Sequence, residues 1–276
     1  MDRIDRLGWT AGFSFQSYGV RVGIRTNDSD ALENARDFLP PEWKLAASNV
    51  VERLYSLLIG RGPQRPGLRR YHLLYGNAAR MSRTLDFDNL LQVFESDLNL
   101  YIAESAPRRV FLHAGVVGWR GRGILIPGRS FSGKSTLVAE LVGAGATYYS
   151  DEYAVLDHFG RVHPYPRKLG IRENGGPRTA RVPVQVLGGC AGKSPLPVGL
   201  VLLTEYKEGG TWNPRPVTPG RGALALLGNA VSIQKRPDRT FPVLSQVVAG
   251  ARVVKSSRGE ARYIVDDILT NLSGLS

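Results

Sequence analysis

Eight consecutive positions near the middle of the chain, Gly128-Arg129-Ser130-Phe131-Ser132-Gly133-Lys134-Ser135, have the spelling of a phosphate cradle, and Thr136 follows them. The pattern G-x-x-x-x-G-K-S requires a tight loop whose backbone N–H groups converge on phosphate oxygens. Its glycines permit that backbone and the close approach of an anion. A helix opening at Lys134 adds its positive N-terminal end. Lys134 then reaches the β- and γ-phosphates of a nucleotide, and the Ser135 hydroxyl serves Mg²⁺. The chain also carries a decoy. In "LGGCAGKSP" the ending Gly192-Lys193-Ser194 recurs, yet Leu187 stands where the first glycine is needed and Pro195 keeps a long helix from starting at the lysine. Only the Gly128 copy has a strand pattern before it ("GILIP") and a helical pattern after it ("TLVAELV").

Mg²⁺ needs a carboxylate beyond the loop serine, and transfer of a phosphoryl group to a hydroxyl needs a base or a positioning group. Three acidic candidates stand out. Asp151-Glu152 close the strand-like "TYYSDE", sixteen residues after Ser135; Asp157 ends "YAVLD"; Glu205 ends "VGLVLLTE". A single acid at a strand end is as readily a solvated turn residue, whereas adjacent acids after an apolar strand favour Asp151 and Glu152 as site residues. His113 lies inside the apolar strand "VFLHAGVV". Such a histidine is either a satisfied core residue or, because its strand feeds the cradle, a donor near the γ-phosphate or a partner for a carboxylate. His72, His158 and His163 read as surface or turn residues.

The elements that must position these groups follow from pattern. In residues 11 to 26 apolar and polar positions alternate around Gly19, which predicts a strand pair. Asp28 or Ser29 caps a helix through "DALENARDFL", stopped by Pro40-Pro41. "NVVERLYSLLIG" reads as a second amphipathic helix, and "NLLQVFESDLNLYIAES" as a long one ending before Pro107. After Pro107 the pattern changes. "RVFLHAGVVGW" and "RGILIPG" predict strands joined at Gly121, and "STLVAELVGAGA" a helix. "TYYSDEYAVLDHFGRVHPY" predicts two strands around a turn at His158 to Gly160, and "VGLVLLTE" a buried strand. "GALALLGNAV" and "FPVLSQVVAGA" read as helical, "RVVKSS" as extended and "VDDILTNL" as a closing helix. The expected fold is therefore α/β: a P-loop nucleotide-binding core over residues 107–276, preceded by a small α+β domain over 1–106 that serves as a substrate or partner platform.

Composition narrows the function classes. A hydrophobic share of 42% and a charged share of 22% are ordinary for a globular protein. No apolar run approaches the roughly 20 residues that span a bilayer, and "MDRIDRLGWT" lacks the apolar core of a signal peptide. One cysteine, Cys190, excludes an internal disulfide and fits a reducing cytoplasm, and with four histidines it leaves little for a His/Cys metal site. The net charge of +12 comes mostly from 29 arginines against 7 lysines. They are scattered along the chain without the arginine–aromatic pattern of an RNA-binding module, so the charge reads as suited to anionic ligands or an acidic partner rather than to nucleic acid.

The stretch "HAGVVGWRGRGILIPGRSFSGKSTLVAELVGAGATYYSDEYAVLD" resembles the catalytic domain of HPr serine kinase/phosphorylase. It is more similar still to shorter bacterial HPr-kinase-like proteins, some of which tailor lasso peptides. In that family a histidine precedes the loop's first glycine by fifteen residues, as His113 precedes Gly128, and an acid pair follows the loop helix where this chain has Asp151-Glu152. The resemblance is strong over residues 107 to 165 and weaker beyond. It implies ATP and Mg²⁺ as cofactors, with the γ-phosphate passing to a serine hydroxyl of a peptide or protein. Asp151 and Glu152 would supply the Mg²⁺ ligand and the acceptor of the hydroxyl proton, with Ser135 also at the metal. The bifunctional members have Asp-Asp there, so Glu152 is a departure that touches the identity of the base and the reverse phosphorolysis; a shift of about 1 Å matters for transfer. "YPRKLGIRENGG" is loosely similar to a downstream family signature, and Arg167, Lys168 and Arg172 either stabilise transferring phosphate or form an exposed basic turn. The first hundred residues do not resemble the N-terminal domain of the bifunctional enzymes, which makes HPr itself a poor default substrate. A kinase for a small-metabolite hydroxyl and a non-catalytic nucleotide-binding regulator remain alternatives, and a homo-oligomer is left open.

Overall fold

The computed structural model describes residues 3–62, 69–128, 132–172 and 179–273. The chain divides into two compact units, Met1–Pro107 and Arg108–Ser276, each a mixture of helices and sheet.

In the first unit the strands are β1 (Ala11–Ser17), β2 (Val20–Thr26), β3 (Lys44–Leu45), β4 (Arg53–Leu58), β5 (His72–Gly76) and β6 (Ala79–Thr84), ordered β3-β1-β2-β4-β5-β6. Helix α1 (Ser29–Arg36) is capped by Asp28, whose side chain accepts the Ala31 N–H at 3.0 Å, and α2 (Phe87–Ser105) by Asp86, which accepts from Asp88 and Asn89. Both helices pack Leu32, Leu90, Phe94 and Leu98 against Phe15, Ile24, Tyr55 and Leu57 of the sheet. The helix expected over "NVVERLYSLLIG" is instead β4, a central strand parallel to β2 and antiparallel to β5. Such a strand is covered on both faces, so its apolar residues run together and lose the period of two that marks a half-exposed strand. Asp97 of α2 ties β4 to the helix, accepting from Tyr55 Oη at 2.5 Å and from Arg53 at 2.9 Å.

The second unit is built on β7 (Val110–Trp119), β8 (Arg122–Pro127), β9 (Thr147–Ser150), β10 (Tyr153–Leu156), β11 (Arg161–His163), β12 (Leu169–Arg172), β13 (Thr179–Val182), β14 (Leu196–Tyr206), β15 (Arg215–Pro216) and β16 (Arg252–Arg258). Its main sheet runs β11-β10-β7-β8-β14-β16-β15, with β9 beside β7; β12 and β13 form a separate hairpin. β8, β14 and β16 are mutually parallel, so their C-terminal ends share one edge. Helix α3 (Lys134–Gly143), with α6 (Val265–Ser273), covers one face through Leu137, Val138, Leu141 and Ile268 on Ile124, Ile126, Leu202 and Val254. Helices α4 (Pro219–Leu227) and α5 (Pro237–Gly250) cover the other through Leu226, Leu244 and Val248 on Leu125, Val201 and Val253.

Two local features depart from pattern reading and bear on the site. "TYYSDEYAVL" is not one strand but two, β9 and β10, which pair with successive halves of β7 and leave Asp151-Glu152 in the break. Ser150 holds that break: its buried hydroxyl accepts the N–H groups of Glu152 and Tyr153. The helical run "GALALLGNAV" stops at Leu227, because residues 229–231 return to pair with the start of β7. His113 N donates to the Asn229 carbonyl at 2.8 Å and Val231 N to Phe111 at 2.9 Å.

Candidate functional site

The site is assembled where β8 ends and α3 begins. Gly128 follows β8, its N–H bonded to the His113 carbonyl at 3.1 Å. Arg129, Ser130 and Phe131, the centre of the cradle sequence, lie outside the described residues. The loop closes tightly on the far side, since a Cβ added at Gly128 would stand 2.7 Å from Ser132 Oγ. Gly133 has φ +79°, in the left-handed region that favours glycine, and a Cβ there would meet the Arg258 guanidinium at 2.5 Å. No side chain caps α3 at its N-terminus, so its first N–H groups face the loop. Thr136, in the first turn of α3, is exposed.

The strands bring the other groups to this point. Gly115 lets α3 approach β7 closely, because a side chain there would run into Val138 at 2.7 Å. Lys134, half-buried, thereby lies on the same sheet face as His113. The β9–β10 break lies along the other edge of β7, where Ala114 N donates to the Glu152 carbonyl at 3.1 Å. Ser135 Oγ donates to Asp151 Oδ2 at 3.0 Å, and the same oxygen accepts the Gly170 N–H at 3.1 Å. Tyr148 Oη donates to Asp151 Oδ1 at 2.9 Å. Three donors from three elements thus hold one carboxylate beside the loop serine. Glu152 makes an ion pair with Arg167, which is only 16% exposed, so this arginine is no part of an exposed turn. Lys168 is exposed, and the side chain of Arg172 lies outside the described residues.

The charges act on one another at short range. Burial lowers the Lys134 pKa, against the pull of Asp151 and Glu152, so its ammonium is weakly solvated and its positive field is little screened. Burial and the neighbouring Lys134 also lower His113, which stays a neutral imidazole at pH 7, its ring 5.0 Å from that of Tyr153. Glu152 keeps 43% of its side-chain exposure, yet the protein packed around the rest of it and the adjacent Asp151 charge raise its carboxyl to about 7, in spite of Arg181 and Lys134. Burial brings Arg167 down to about 10, leaving it cationic at neutral pH.

The remaining acids separate clearly. Burial works against the Asp157 charge, but hydrogen bonds from His163, Arg161 and the backbone hold its pKa below the ordinary value; it ties the β10–β11 turn together. His163 is thereby a structural partner rather than a free surface group. Glu205 is exposed at the end of β14, 3.8 Å from Lys207. Among the described residues no group of three His, Cys, Asp or Glu side chains forms a dedicated metal cage. Ser135 and Asp151 offer two hard oxygen donors side by side, which suits Mg²⁺ held jointly by a protein edge, phosphate and water.

Pattern reading does not identify Arg258. It closes β16, 2% exposed, and donates to the Gly133 carbonyl at 2.8 Å and the Gly259 carbonyl at 3.1 Å, with its guanidinium 5.5 Å from the Tyr206 ring centre. It lies 125 residues from the carbonyl it supports, and "KSSRG" has no signal to mark it. Replacing one partner of a charged, buried hydrogen bond costs about 2 kcal/mol. Arg258→Met is therefore expected to lower the urea midpoint by about 1 M, taking a typical m near 2 kcal/mol/M. An unchanged midpoint would remove Arg258 from the support of the loop.

No family model matches the chain. Among curated proteins, an HPr kinase/phosphorylase of Mycoplasmopsis pulmonis (strain UAB CTIP) is 27% identical over 168 residues, which is 57% of this chain and 51% of that protein. The chain thus spans about half the length of this relative. Among solved structures, the HPr(Ser) kinase/phosphatase from Coxiella burnetii aligns with 60% of this chain and 96% of its own at 17% identity, with a TM-score of 0.35. The sequence is HPr-kinase-like, as the curated relative shows.

Proposed function

We propose that this HPr-kinase-like chain is an ATP- and Mg²⁺-dependent kinase that transfers the γ-phosphate to a hydroxyl, a serine of a peptide or protein. The observation that carries the reading is the convergence on one strand end of the loop lysine, the Ser135–Asp151 pair and a second carboxylate with a raised pKa. In this reading the second unit is a P-loop core of the HPr-kinase type, and the first is a platform for the acceptor. Its reaction belongs in an ATP-containing compartment, the cytoplasm; among the described residues no helix is long and apolar enough to cross a membrane.

The division of labour follows from the contacts. The loop N–H groups and the α3 N-terminus cradle the phosphates, and Lys134 neutralises the charge that builds on the β–γ bridge. Ser135 and Asp151 would hold Mg²⁺, which when bound neutralises and aligns the phosphate oxygens. Tyr148 and Gly170 keep the Asp151 carboxylate turned toward Ser135. Glu152 accepts the proton of the attacking hydroxyl as its oxygen bonds to the γ-phosphorus and the bond to the β–γ bridging oxygen breaks, releasing ADP. Arg167 orients that carboxylate, and the neutral His113 donates to a phosphate oxygen without adding a second buried cation.

The test is transfer of label from γ-labelled ATP, with Mg²⁺, to serine-containing peptides and to proteins encoded near this one, read by mass spectrometry. Labelled peptide is the expected product. Label only in small molecules would make the acceptor a metabolite, and ATP binding without any product would make the chain a regulator. The pH dependence is a second readout of the same assay. Glu152 is competent as a base only when deprotonated, so kcat/KM is expected to rise with pH and level off above about 7, the pKa of the free enzyme. Activity is lost as the pH falls through that value. A flat profile between pH 5.5 and 8 would remove Glu152 from the proton transfer.

A further inference from the structure

The β12–β13 hairpin carries a cation to the acid pair. Leu169 is fully buried in the core on the α3 side, so strand alternation turns its neighbour Gly170 to the opposite face of the hairpin. Gly170 pairs in register with Arg181 of β13, which therefore stands on that outward face and is exposed. The same glycine donates its N–H to Asp151 Oδ2 at 3.1 Å, which fixes this part of the hairpin against the acids. Arg167, two residues ahead of β12, holds Glu152 in its ion pair, and the next residue, Lys168, is exposed.

These charges sense one another. Burial and the nearby Arg181 both bring Arg167 down, so the two guanidiniums lie close together. Arg181, although exposed, has enough protein around it to lower its pKa, while Glu152 and Asp151 pull the other way. Among the described residues, Arg167, Lys168 and Arg181 therefore outnumber the one carboxylate, Glu152, that faces an incoming hydroxyl. The bias extends to the whole unit. Residues 108–276 hold 23 Lys and Arg against 11 Asp and Glu, whereas residues 1–107 hold 13 of each. The entire net charge of +12 thus belongs to the unit that carries the site, and a field of that sign concentrates anionic ligands around it. Lys134, Ser135 and Asp151 serve the phosphates and the metal, so the acceptor enters on the partly exposed Glu152 side. Residues flanking its serine then pass Arg181, whose planar fork matches a carboxylate in two parallel hydrogen bonds.

We propose that Arg181 binds a carboxylate side chain flanking the acceptor serine, so that the substrate of this site is an acidic peptide segment. The aspartate or glutamate of the acceptor pairs with Arg181, and the neighbouring hydroxyl is thereby directed to Glu152, which Arg167 continues to orient. The assignment rests on the kinase reading above and narrows its acceptor.

The experiment offers the full chain, at saturating Mg·ATP, two synthetic peptides that differ only in carrying aspartate or asparagine on both sides of a central serine. Phosphopeptide is measured by mass spectrometry at about pH 8.5, where Glu152 is deprotonated. Removing Arg181 also withdraws one of the charges that restrain Glu152, a change common to both peptides that cancels in their ratio. The wild type is expected to favour the aspartate peptide about tenfold in kcat/KM, mainly through KM, which is the scale of one charge-assisted hydrogen bond. That preference is expected to shrink as salt is raised. Arg181→Gln is expected to bring the ratio to within about twofold of unity, and Arg181→Glu to favour a third peptide with lysine flanks. Because Arg181 is exposed, both variants are expected to keep the wild-type urea midpoint. Equal use of the two peptides by the wild type, or an undiminished preference in Arg181→Gln, would overturn the assignment. So would an equal slowing of both peptides with the ratio intact, which would make Arg181 a cation for the transferring phosphate. Transfer to both peptides without preference leaves the kinase reading standing and overturns only the acidic acceptor. Label in neither peptide overturns the peptide-kinase reading and this assignment with it.

Discussion

Lys134→Ala is expected to lower nucleotide turnover by about three orders of magnitude, the scale on which preorganised charge at a transferring phosphoryl group contributes. The size of the effect follows from burial. Because Lys134 is desolvated, its field at the β–γ bridge is little screened by water. Its loss also leaves Asp151 and Glu152 with less positive charge nearby, so Glu152 is expected to rise above 7 and lose base character at neutral pH. The two consequences multiply. The measurement is ADP release at saturating Mg·ATP, with the urea midpoint as a control on folding. Turnover within a few-fold of the wild type would sink the assignment of the loop as a phosphate site.

Asp151→Asn is expected to reduce transfer by about 10²- to 10³-fold while retaining metal-free nucleotide binding. The amide keeps the shape of the carboxylate but has one oxygen in place of two. It can still accept from Tyr148, or from Ser135 and Gly170, but not from all three. It also lacks the charge that holds Mg²⁺ beside Ser135. The phosphate cradle and Lys134 are untouched, which is why binding survives. A second readout distinguishes this from general damage. Asp151 is one of the causes that raise Glu152, so its neutralisation is expected to move the rising limb of the pH profile below 7. Full activity with an unmoved limb would place Asp151 outside the site.

Local chemistry is the part of this protein that can be read from residue order. The cradle spelling works through contiguous backbone, and its context needs only an apolar strand before it and a helix after it; both stand in the sequence at "GILIP" and "TLVAELV". The decoy at Gly192 is dismissed on equally local grounds, and its segment flanks β9, with Tyr148 N and Gly192 N bonding across it. The helix cap expected at Asp28 or Ser29, which the structure places at Asp28, and the junction at Gly121 are short-range features of the same kind. β4 is the opposite case: burial on both faces hides its period, and "NVVERLYSLLIG" mimics a helix.

Contacts between distant segments are a different matter, because nothing in residue order encodes which strand ends will share an edge. "TYYSDE" announces two acids after a strand, yet only the split of β9 from β10 along β7 turns Asp151 toward Ser135 and Glu152 toward Arg167. The three donors on Asp151 come from positions 135, 148 and 170, and the arginine beneath Gly133 from position 258. Residue order sets the local make-up of the Gly128–Ser135 loop, since that depends on glycine, lysine and a helix start. The fold sets which carboxylate meets the loop serine and which acid is crowded into a raised pKa, since these depend on burial and distance between segments far apart in the chain.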